Sequence, residues 1–361
     1  MQIGIVGLPF SGKTTFFQTL TETHLDTEAL RKKDANVATV KVPDRRLDEL
    51  TKIFQPKKQI NATIEIVDVA GIQKNEQGKT SFTTNFLSKV KTNDALIHVV
   101  RGFEDENFPH PEGSIDMLRD IRMLEEELIL ADMSQIENRM EKLQKELKKQ
   151  NAGEGIHKEK EILEKWLNSL QSGVPIRSLE LTSEDVRIIK NFQPLSAKPM
   201  LIALNFSDDD IKRADNNIEE IRKQIQGKSL AIEPFFAKIE MELAMLNDDD
   251  KAIFMQEYGI KESALSRLIR SAYSLLGLQS FFTVGEDECR AWTIRKGMNA
   301  QESAGVIHTD FYNKFIRAEV VNYQDFMECG SFAKCKEKGI FRLEGKEYIV
   351  KDGDILHVRH S

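Results

Sequence analysis

A glycine-rich stretch near the amino terminus limits the possible folds of this chain more than any other feature. Residues 7–14 read Gly-Leu-Pro-Phe-Ser-Gly-Lys-Thr, which fits the pattern G-x-x-x-x-G-K-[ST]. An apolar, strand-like segment at residues 2–6 precedes it, and a helix is predicted over residues 14–21. Glycines in such a loop let consecutive N–H groups converge on one anion, and the helix that follows adds its positive end. The chain is therefore predicted to be a P-loop nucleoside triphosphatase.

The residue types in this loop predict separate roles in binding a nucleoside triphosphate. Lys13 is predicted to neutralise the β- and γ-phosphates and to be catalytic, and the Thr14 hydroxyl is predicted to bind Mg²⁺. The residues predicted to contact the nucleotide here are Pro9, Phe10, Ser11, Gly12, Lys13, Thr14 and Thr15.

A second motif follows the predicted strand at residues 63–67. It reads Asp68-Val69-Ala70-Gly71, a DxxG sequence whose position after a strand agrees with the P-loop assignment. The Asp68 carboxylate is predicted to be the second protein group that organises Mg²⁺. The backbone N–H of Gly71 is predicted to contact the γ-phosphate, and Gly71 is included among the predicted catalytic positions.

Two further loops are predicted to face the nucleotide base. Asn205-Phe206-Ser207-Asp208 follows a predicted strand at 200–204 and stands where many GTPases carry N-K-x-D. Asn205 is predicted to brace the site and Asp208 to face the base, while Phe206 replaces the usual lysine. The second loop, Phe236-Ala237-Lys238, follows a predicted strand at 231–235 and is predicted to contact the base.

The pattern of apolar residues predicts three regions. Short apolar strands alternating with helices in residues 1–114 and 196–276 indicate an α/β nucleotide-binding domain with a mostly parallel sheet. Residues 115–195 have helical spacing with many charges, which predicts an inserted antiparallel helical hairpin. Its charged faces fit either a solvated surface or a partner-binding arm. Residues 277–361 are predicted to be a small β-rich domain of short strands and turns, including strands at 340–343, 347–350 and 355–358.

Overall charge and hydropathy bear on partners and location. The formal net charge is −7 and the pI is about 5.7, so overall charge does not indicate a nucleic-acid binder, although a local basic face remains compatible with it. The absence of a long apolar run and of a leader sequence predicts a cytoplasmic protein without a membrane partner.

Taken together and in this order, the motifs resemble the YchF/Obg-like ATPase family. The resemblance covers nearly the whole chain and is densest in residues 290–311, 315–321 and 343–359. It implies a G domain, an inserted coiled-coil arm and a C-terminal TGS domain, which is a small β-grasp module. It also implies binding of ATP in preference to, or alongside, GTP, with Mg²⁺, slow hydrolysis and association with ribosomes.

The chain departs from the family pattern in three places. Asp208 stands where the family has glutamate, Lys32 stands where the family's first switch has threonine, and residues 72–79 contain one glycine where the family has several. Ile72, directly after the DxxG motif, agrees with the family's use of an apolar residue where other GTPases place the glutamine that orients water. We therefore expect slow turnover and include Ile72 among the predicted catalytic positions.

Two functions fit these observations. The first is a slow ATPase, with GTP as a possible second substrate, that acts as a ribosome-associated regulatory switch through its arm and TGS domain. The alternative is a nucleotide-binding scaffold with negligible hydrolysis, in which nucleotide only sets the conformation for partner binding. Basic residues near aromatic ones in the TGS region fit either ribosomal RNA contact or the small domain's own core: Arg290, Trp292, Arg295, Lys296, Phe311, Tyr312, Lys314, Phe315 and Arg317. A monomer is favoured.

Overall fold

Alternating strands and helices form most of the computed structural model, which describes residues 1–21, 36–69, 72–74, 80–148, 154–211, 214–225 and 227–361. Its strands are β1 (Gln2–Val6), β2 (Asn36–Lys41), β3 (Lys58–Ile60), β4 (Thr63–Asp68), β5 (Ile72–Lys74), β6 (Thr80–Phe82), β7 (Ala95–Gly102), β8 (Met200–Phe206), β9 (Leu230–Phe235), β10 (Leu278–Thr283), β11 (Glu288–Arg295), β12 (Phe315–Asn322), β13 (Arg342–Glu344) and β14 (Asp354–His360). Its α-helices are α1 (Lys13–Thr21), α2 (Arg45–Phe54), α3 (Thr84–Lys91), α4 (Met117–Leu147), α5 (Glu154–Gln171), α6 (Ser183–Phe192), α7 (Ala214–Gln224), α8 (Ala237–Met245), α9 (Asp248–Glu257), α10 (Ala264–Leu275), α11 (Ala300–Ile307), α12 (Thr309–Asn313), α13 (Tyr323–Cys329) and α14 (Phe332–Glu337).

The chain divides into two compact units, each made of two stretches of sequence. The first unit contains Met1–Ala38 and Glu65–Leu268, and the second contains Thr39–Ile64 and Ile269–Ser361. Residues 39–64 therefore belong with the C-terminal region, whereas the sequence analysis placed them in the nucleotide-binding domain. Local patterns indicate the helix and strand in this stretch, but which sheet they join depends on contacts with residues far away in sequence.

A parallel sheet forms the centre of the first unit. Five of its strands follow one another in the order β4-β1-β7-β8-β9, and every one of these neighbouring pairs is parallel. All seven residues of β8 are buried, as expected for a strand covered on both faces. The predicted α/β fold is confirmed. Because parallel strands all point the same way, the loops after β1, β4, β7 and β8 lie at one edge of the sheet.

The predicted helical hairpin is formed by α4 and α5. The first part of α4 packs on the sheet through Ile121, Leu124 and Leu128, which are buried in the core of the first unit. Farther along, the helix pairs with α5 around a separate apolar cluster that contains Ile136, Leu143, Leu163, Trp166 and Leu170. Arg139 joins the two helices with bonds of 2.7 and 2.9 Å to the two carboxylate oxygens of Glu159. One long helix thus contributes to two cores.

Trp166 is expected to make the largest single contribution to the stability of this hairpin. Its side chain is fully buried, and its indole N–H donates a 2.9 Å hydrogen bond to Asp185 of α6. We expect Trp166→Ala to lower the free energy of unfolding by about 3–5 kcal/mol and Trp166→Phe by about 1–3 kcal/mol, since phenylalanine fills most of the space but leaves Asp185 without this donor. Urea denaturation followed by circular dichroism measures both values. Val186→Ala, at a 44% exposed position of α6, is the control and should change stability by less than about 0.5 kcal/mol. Equal values for Trp166→Ala and the control would contradict this account.

The second unit contains its own sheet, in the order β13-β12-β14-β10-β11-β3. Residues 39–64 contribute two features to this unit: β3, which pairs in parallel with β11, and Phe54 at the end of α2. The Phe54 ring lies 5.5 Å from that of Phe326 and 5.7 Å from that of Phe332. Arg46 adds a 2.8 Å ion pair to Asp352. Residues 39–64 are therefore an integral part of the C-terminal unit.

The C-terminal region contains more helix than the sequence analysis predicted. Short strands and turns were expected from residue 277, but α11, α12, α13 and α14 lie there and contain only five to eight residues each. Helices this short give too few turns for a clear 3.6-residue pattern. The strand predicted at 347–350 is also wrong, because this segment contributes only an isolated bridge between Asn299 and Ile349. No helix in the described parts of the chain is long and apolar enough to cross a membrane.

Candidate functional site

The predicted phosphate-binding loop connects the end of β1 to the start of α1. Gly7 has φ of 149°, and a Cβ at this position would lie 2.3 Å from the carbonyl oxygen of Val99 on β7. Helix α1 begins at Lys13, and its first turn is closed by a 2.8 Å bond from the Phe16 N–H to the Gly12 carbonyl. Both glycines allow backbone positions that a side chain would prevent. The strand–loop–helix arrangement that was predicted for phosphate binding is present.

Asn205 links this loop to the loop after β9. Its side-chain amide donates a 3.1 Å hydrogen bond to the carbonyl of Ser11 and accepts one of 3.2 Å from the N–H of Ala237. Gly12 makes this approach possible, because a Cβ there would lie 2.3 Å from the Asn205 nitrogen. The buried amide therefore holds the phosphate end and the predicted base end of the site together.

Lys13 and Asp68 form the charged centre of the site. The Lys13 ammonium donates a 2.6 Å hydrogen bond to the carbonyl of Leu8. Burial lowers the pKa of Lys13 to about 8, and the negative charge of Asp68 partly opposes this shift. Burial likewise raises the pKa of the Asp68 carboxyl, and Lys13 opposes that shift. Burial therefore disfavours each of these charges on its own, and the opposite charge of the other residue stabilises it.

The donors available for a magnesium ion fit that metal. Thr14 is exposed and Asp68 is half-buried, and their hydroxyl and carboxylate are the oxygen donors that Mg²⁺ prefers. No group of three or more histidine, cysteine or acidic side chains suited to a metal occurs in the described part of the chain. Among the described residues, a hydroxyl and a carboxylate are the donors predicted for this ion, and such a pair fits an ion that completes its shell with water and phosphate oxygens.

At the predicted base end, Asp208 and Lys238 form an ion pair of 2.8 Å. Phe206, by contrast, is buried in the apolar core of the first unit, where its ring lies 6.2 Å from that of Phe236. The Phe206 ring is therefore not available to a base. The Phe236-Ala237-Lys238 loop leads directly into α8, which begins at Ala237.

Of the remaining predicted site residues, Pro9, Thr15 and Ile72 lie in described parts of the chain. Pro9 and Thr15 are half-buried parts of the loop and of the first turn of α1. Ile72 lies in β5 and is half-buried against the core. Gly71 and Lys32 lie outside the described residues.

Two features were not found in the sequence, the contact of Phe10 with Phe108 and the buried His98. Phe10, which is 54% exposed, has φ of 61°, and its ring lies 5.4 Å from that of Phe108, an exposed residue after β7. Phe108 gave no signal other than an apolar residue in a polar loop. His98 is buried on β7 opposite Val6, and burial, together with Lys13 and Arg177, lowers its pKa to about 3. The imidazole is therefore neutral.

The lowered pKa of Lys13 predicts proton uptake when a nucleotide binds in alkaline solution. Above pH 8 the ammonium of the free protein is increasingly deprotonated, and phosphate charge favours its protonated form. Nucleotide affinity should therefore fall as pH rises above about 8, by up to about tenfold per pH unit. Calorimetry at pH 8.5 in two buffers of different ionisation enthalpy should show uptake of up to about one proton. The same titration at pH 7.0 should show little uptake. Buffer-independent heats at pH 8.5 would contradict the assignment of Lys13 to the phosphates.

Comparisons with known proteins cover the whole chain. A family model for the C-terminal domain of YchF GTPases, described as a protein of unknown function, matches residues 278–361. A second model, described as a 50S ribosome-binding GTPase, matches residues 2–152. The ribosome-binding ATPase YchF of Bacillus subtilis is 43% identical over 362 residues, covering 99% of this chain and 98% of the relative. The protein of the same name from Escherichia coli O157:H7 is 36% identical, covering 98% and 97%. The solved structure of the Schizosaccharomyces pombe YchF GTPase has a TM-score of 0.86 at 32% identity, covering 99% and 97%.

Proposed function

The chain belongs to the YchF family of Obg-like ATPases, and we propose that it hydrolyses ATP slowly, with Mg²⁺, as a ribosome-associated switch. One observation carries this proposal. Asn205 bonds both to Ser11 of the predicted phosphate loop and to Ala237 of the predicted base-side loop, which supports a single nucleotide site that includes both loops. A glycine turn that binds no nucleotide would not require this buried hydrogen-bonded connection.

We assign separate roles in nucleotide binding and hydrolysis to the residues of the site. Lys13 holds positive charge on the β- and γ-phosphates, and the turns of the loop direct backbone N–H groups at the same oxygens. Thr14 and Asp68 would hold Mg²⁺, which supplies further positive charge to the phosphates when bound. We assign contact with the γ-phosphate to the N–H of Gly71.

Slow turnover is proposed from the character of Ile72. Its aliphatic side chain packs against the apolar core and has no group that can accept or donate a hydrogen bond to the attacking water. Without such a group, the positioning of water depends on backbone groups, on a bound ion or on a partner. A partner that completes the site would accelerate hydrolysis, and this is the property of a regulatory switch.

Hydrolysis is tested by measuring phosphate release from ATP with the purified chain. Release should require Mg²⁺ and exceed the rate without protein, and it should be slow on the scale of ordinary enzymes, well below about 1 s⁻¹. Nucleotide binding without release above background would favour the alternative function, a scaffold whose conformation is set by nucleotide. Binding of neither ATP nor GTP would refute both functions.

We further propose that the C-terminal unit contributes to ribosome contact. Arg290 lies over the Trp292 ring, with its guanidinium carbon 3.8 Å from the ring centre, while Arg295 at the end of β11 and Lys296 directly after it are exposed. Exposed cations suit the phosphates of RNA. Trp292 and Phe315 both pack against the core of this unit, so we assign the contact to the cations.

Charge reversal tests this surface. Arg295→Glu combined with Lys296→Glu should weaken co-sedimentation with ribosomes and reduce its dependence on salt, because fewer phosphate contacts release fewer counterions. Lys338→Glu, at an exposed position after α14, is the matched control. Sedimentation in the presence of ATP, ADP and a non-hydrolysable ATP analogue then tests the switch. Equal sedimentation in all three states would argue against a switch while leaving ribosome binding intact.

A further inference from the structure

Two groups at the predicted base end of this site already have partners within the chain. The Lys238 ammonium lies 2.8 Å from a carboxylate oxygen of Asp208. The N–H of Ala237 donates its hydrogen bond to Asn205.

The pairing edges of the two purines need different partners. Guanine presents an acceptor, O6, and donors at N1 and N2, so its recognition uses a carboxylate that is free to accept hydrogen bonds. Adenine presents an acceptor at N1 and a single donor at N6, and its N1 would be repelled by an unpaired carboxylate. An ammonium beside the carboxylate removes that repulsion and at the same time competes with the guanine donors.

We propose that the Lys238–Asp208 ion pair is a specificity determinant that disfavours guanine nucleotides and permits adenine nucleotides. This inference rests on the proposed function, because it concerns the base end of that same site. To bind guanine in the usual manner, the protein would have to separate Lys238 from Asp208. The pair acts by making the competing ligand less favourable, which is a general route to specificity.

Acidic neighbours favour the charged form of Lys238. Lys238 is in the first turn of α8, where the positive end of the helix opposes a cation, so its charge depends on these neighbours. The acidic groups Asp209 and Glu242 lie near enough to favour its charge, and Asp208 itself raises the pKa of Lys238 most strongly. The ammonium therefore stays protonated and paired at neutral pH.

The expected size of the effect on nucleotide preference follows from the solvent exposure of the ion pair. Lys238 is 73% exposed and Asp208 is 30% exposed, so solvent weakens their attraction. Removing Lys238 should change the ratio of ATP affinity to GTP affinity by about three- to fivefold in favour of GTP. The ratio is the appropriate quantity, because any general contact between Lys238 and a bound base affects both nucleotides and cancels.

The test is a competition titration on the full chain, with a fluorescent ATP analogue displaced by ATP or GTP in the presence of Mg²⁺. The variants are Lys238→Met, Asp208→Asn and the double variant. Lys228→Met is the matched control, since Lys228 forms an exposed 2.8 Å ion pair with Glu180 in the same unit. The three substitutions are at surface ion pairs, and circular dichroism verifies that each of the four variants is folded.

The double variant tests whether Lys238 acts on nucleotide preference through Asp208. We expect Lys238→Met to shift the ratio toward GTP, Lys228→Met to leave it unchanged, and Lys238→Met to have no effect on the ratio once Asp208 is asparagine. An unchanged ratio in Lys238→Met, an equal shift in the Asp208→Asn background, or a wild-type preference for GTP would each overturn the inference and leave the nucleotide-binding function standing. If the wild-type protein binds neither nucleotide, the proposed function fails and the inference fails with it.

Discussion

Lys13→Ala is expected to reduce ATP hydrolysis by at least about a hundredfold, which is typical of removing one charged group that stabilises a transition state. The Lys13 ammonium is fixed by its 2.6 Å bond to Leu8 and is supported by Asp68. Alanine would remove the positive charge and leave the Asp68 carboxylate without its cation, so that a negative group would face the phosphates. Nucleotide affinity should therefore fall together with turnover.

Two measurements distinguish this loss from unfolding. Phosphate release and competition binding report on the site, and the thermal unfolding midpoint reports on the fold, which should change little because the alanine side chain is compatible with α1. Lys228→Ala removes an exposed, ion-paired lysine from the same unit and should retain full activity. Hydrolysis by Lys13→Ala at the wild-type rate would show that this loop does not hold the reacting phosphates. Loss of binding in Lys13→Ala, with no hydrolysis by the wild-type protein, would support the scaffold function.

Gly12→Ala is expected to lower nucleotide affinity by at least about thirtyfold, for two separate reasons. Gly12 has φ of 93°, a conformation that L-residues rarely adopt, and the new Cβ would lie 2.3 Å from the Asn205 amide nitrogen. Backbone strain and overpacking each carry a typical cost of about 1–3 kcal/mol, and a combined 2 kcal/mol corresponds to about thirtyfold in affinity. Asn205 would have to move, and its bonds to Ser11 and Ala237 would lengthen or break.

Gly113→Ala is the control at a positive-φ glycine outside the site. Gly113 has a similar positive φ of 83°, but a Cβ at that position meets nothing within 4 Å. This control carries backbone strain without a clash and away from the loop, and it should retain nucleotide affinity within about threefold. Equal losses in the two variants, measured by the same competition titration, would show that the effect does not depend on Gly12 or on its contact with Asn205.

The phosphate end of the site could be predicted from the sequence because its requirements are local. Gly7, Gly12, Lys13 and Thr14 lie within eight consecutive residues, and the preceding strand and following helix have clear apolar patterns. Asp68 could be placed for a similar reason, since it ends a buried strand that pairs directly with β1. In parallel sheets, the ends of neighbouring strands meet at one edge, and strand order follows a few simple rules.

The base end could be predicted only in part. Asn205 and Asp208 were identified by their position after a strand, but their partners were not. Phe206 was considered as a replacement for a lysine near the base, whereas its ring packs into the core. Side-chain direction in a strand alternates between two faces, and which face is buried depends on the elements that cover the sheet.

The sequence by itself determined the strand–loop–helix of residues 2–21, the parallel α/β sheet and the helical hairpin, because backbone conformation and periodic burial follow from neighbouring residues. Tertiary structure decided the remainder. It joined Asn205 to Ser11, 194 positions away, set Lys238 against Asp208, and placed residues 39–64 in the C-terminal unit. Such contacts depend on how strands register and how units pack. Each bond closes a long loop of chain, and no short pattern of residues specifies where that loop will close.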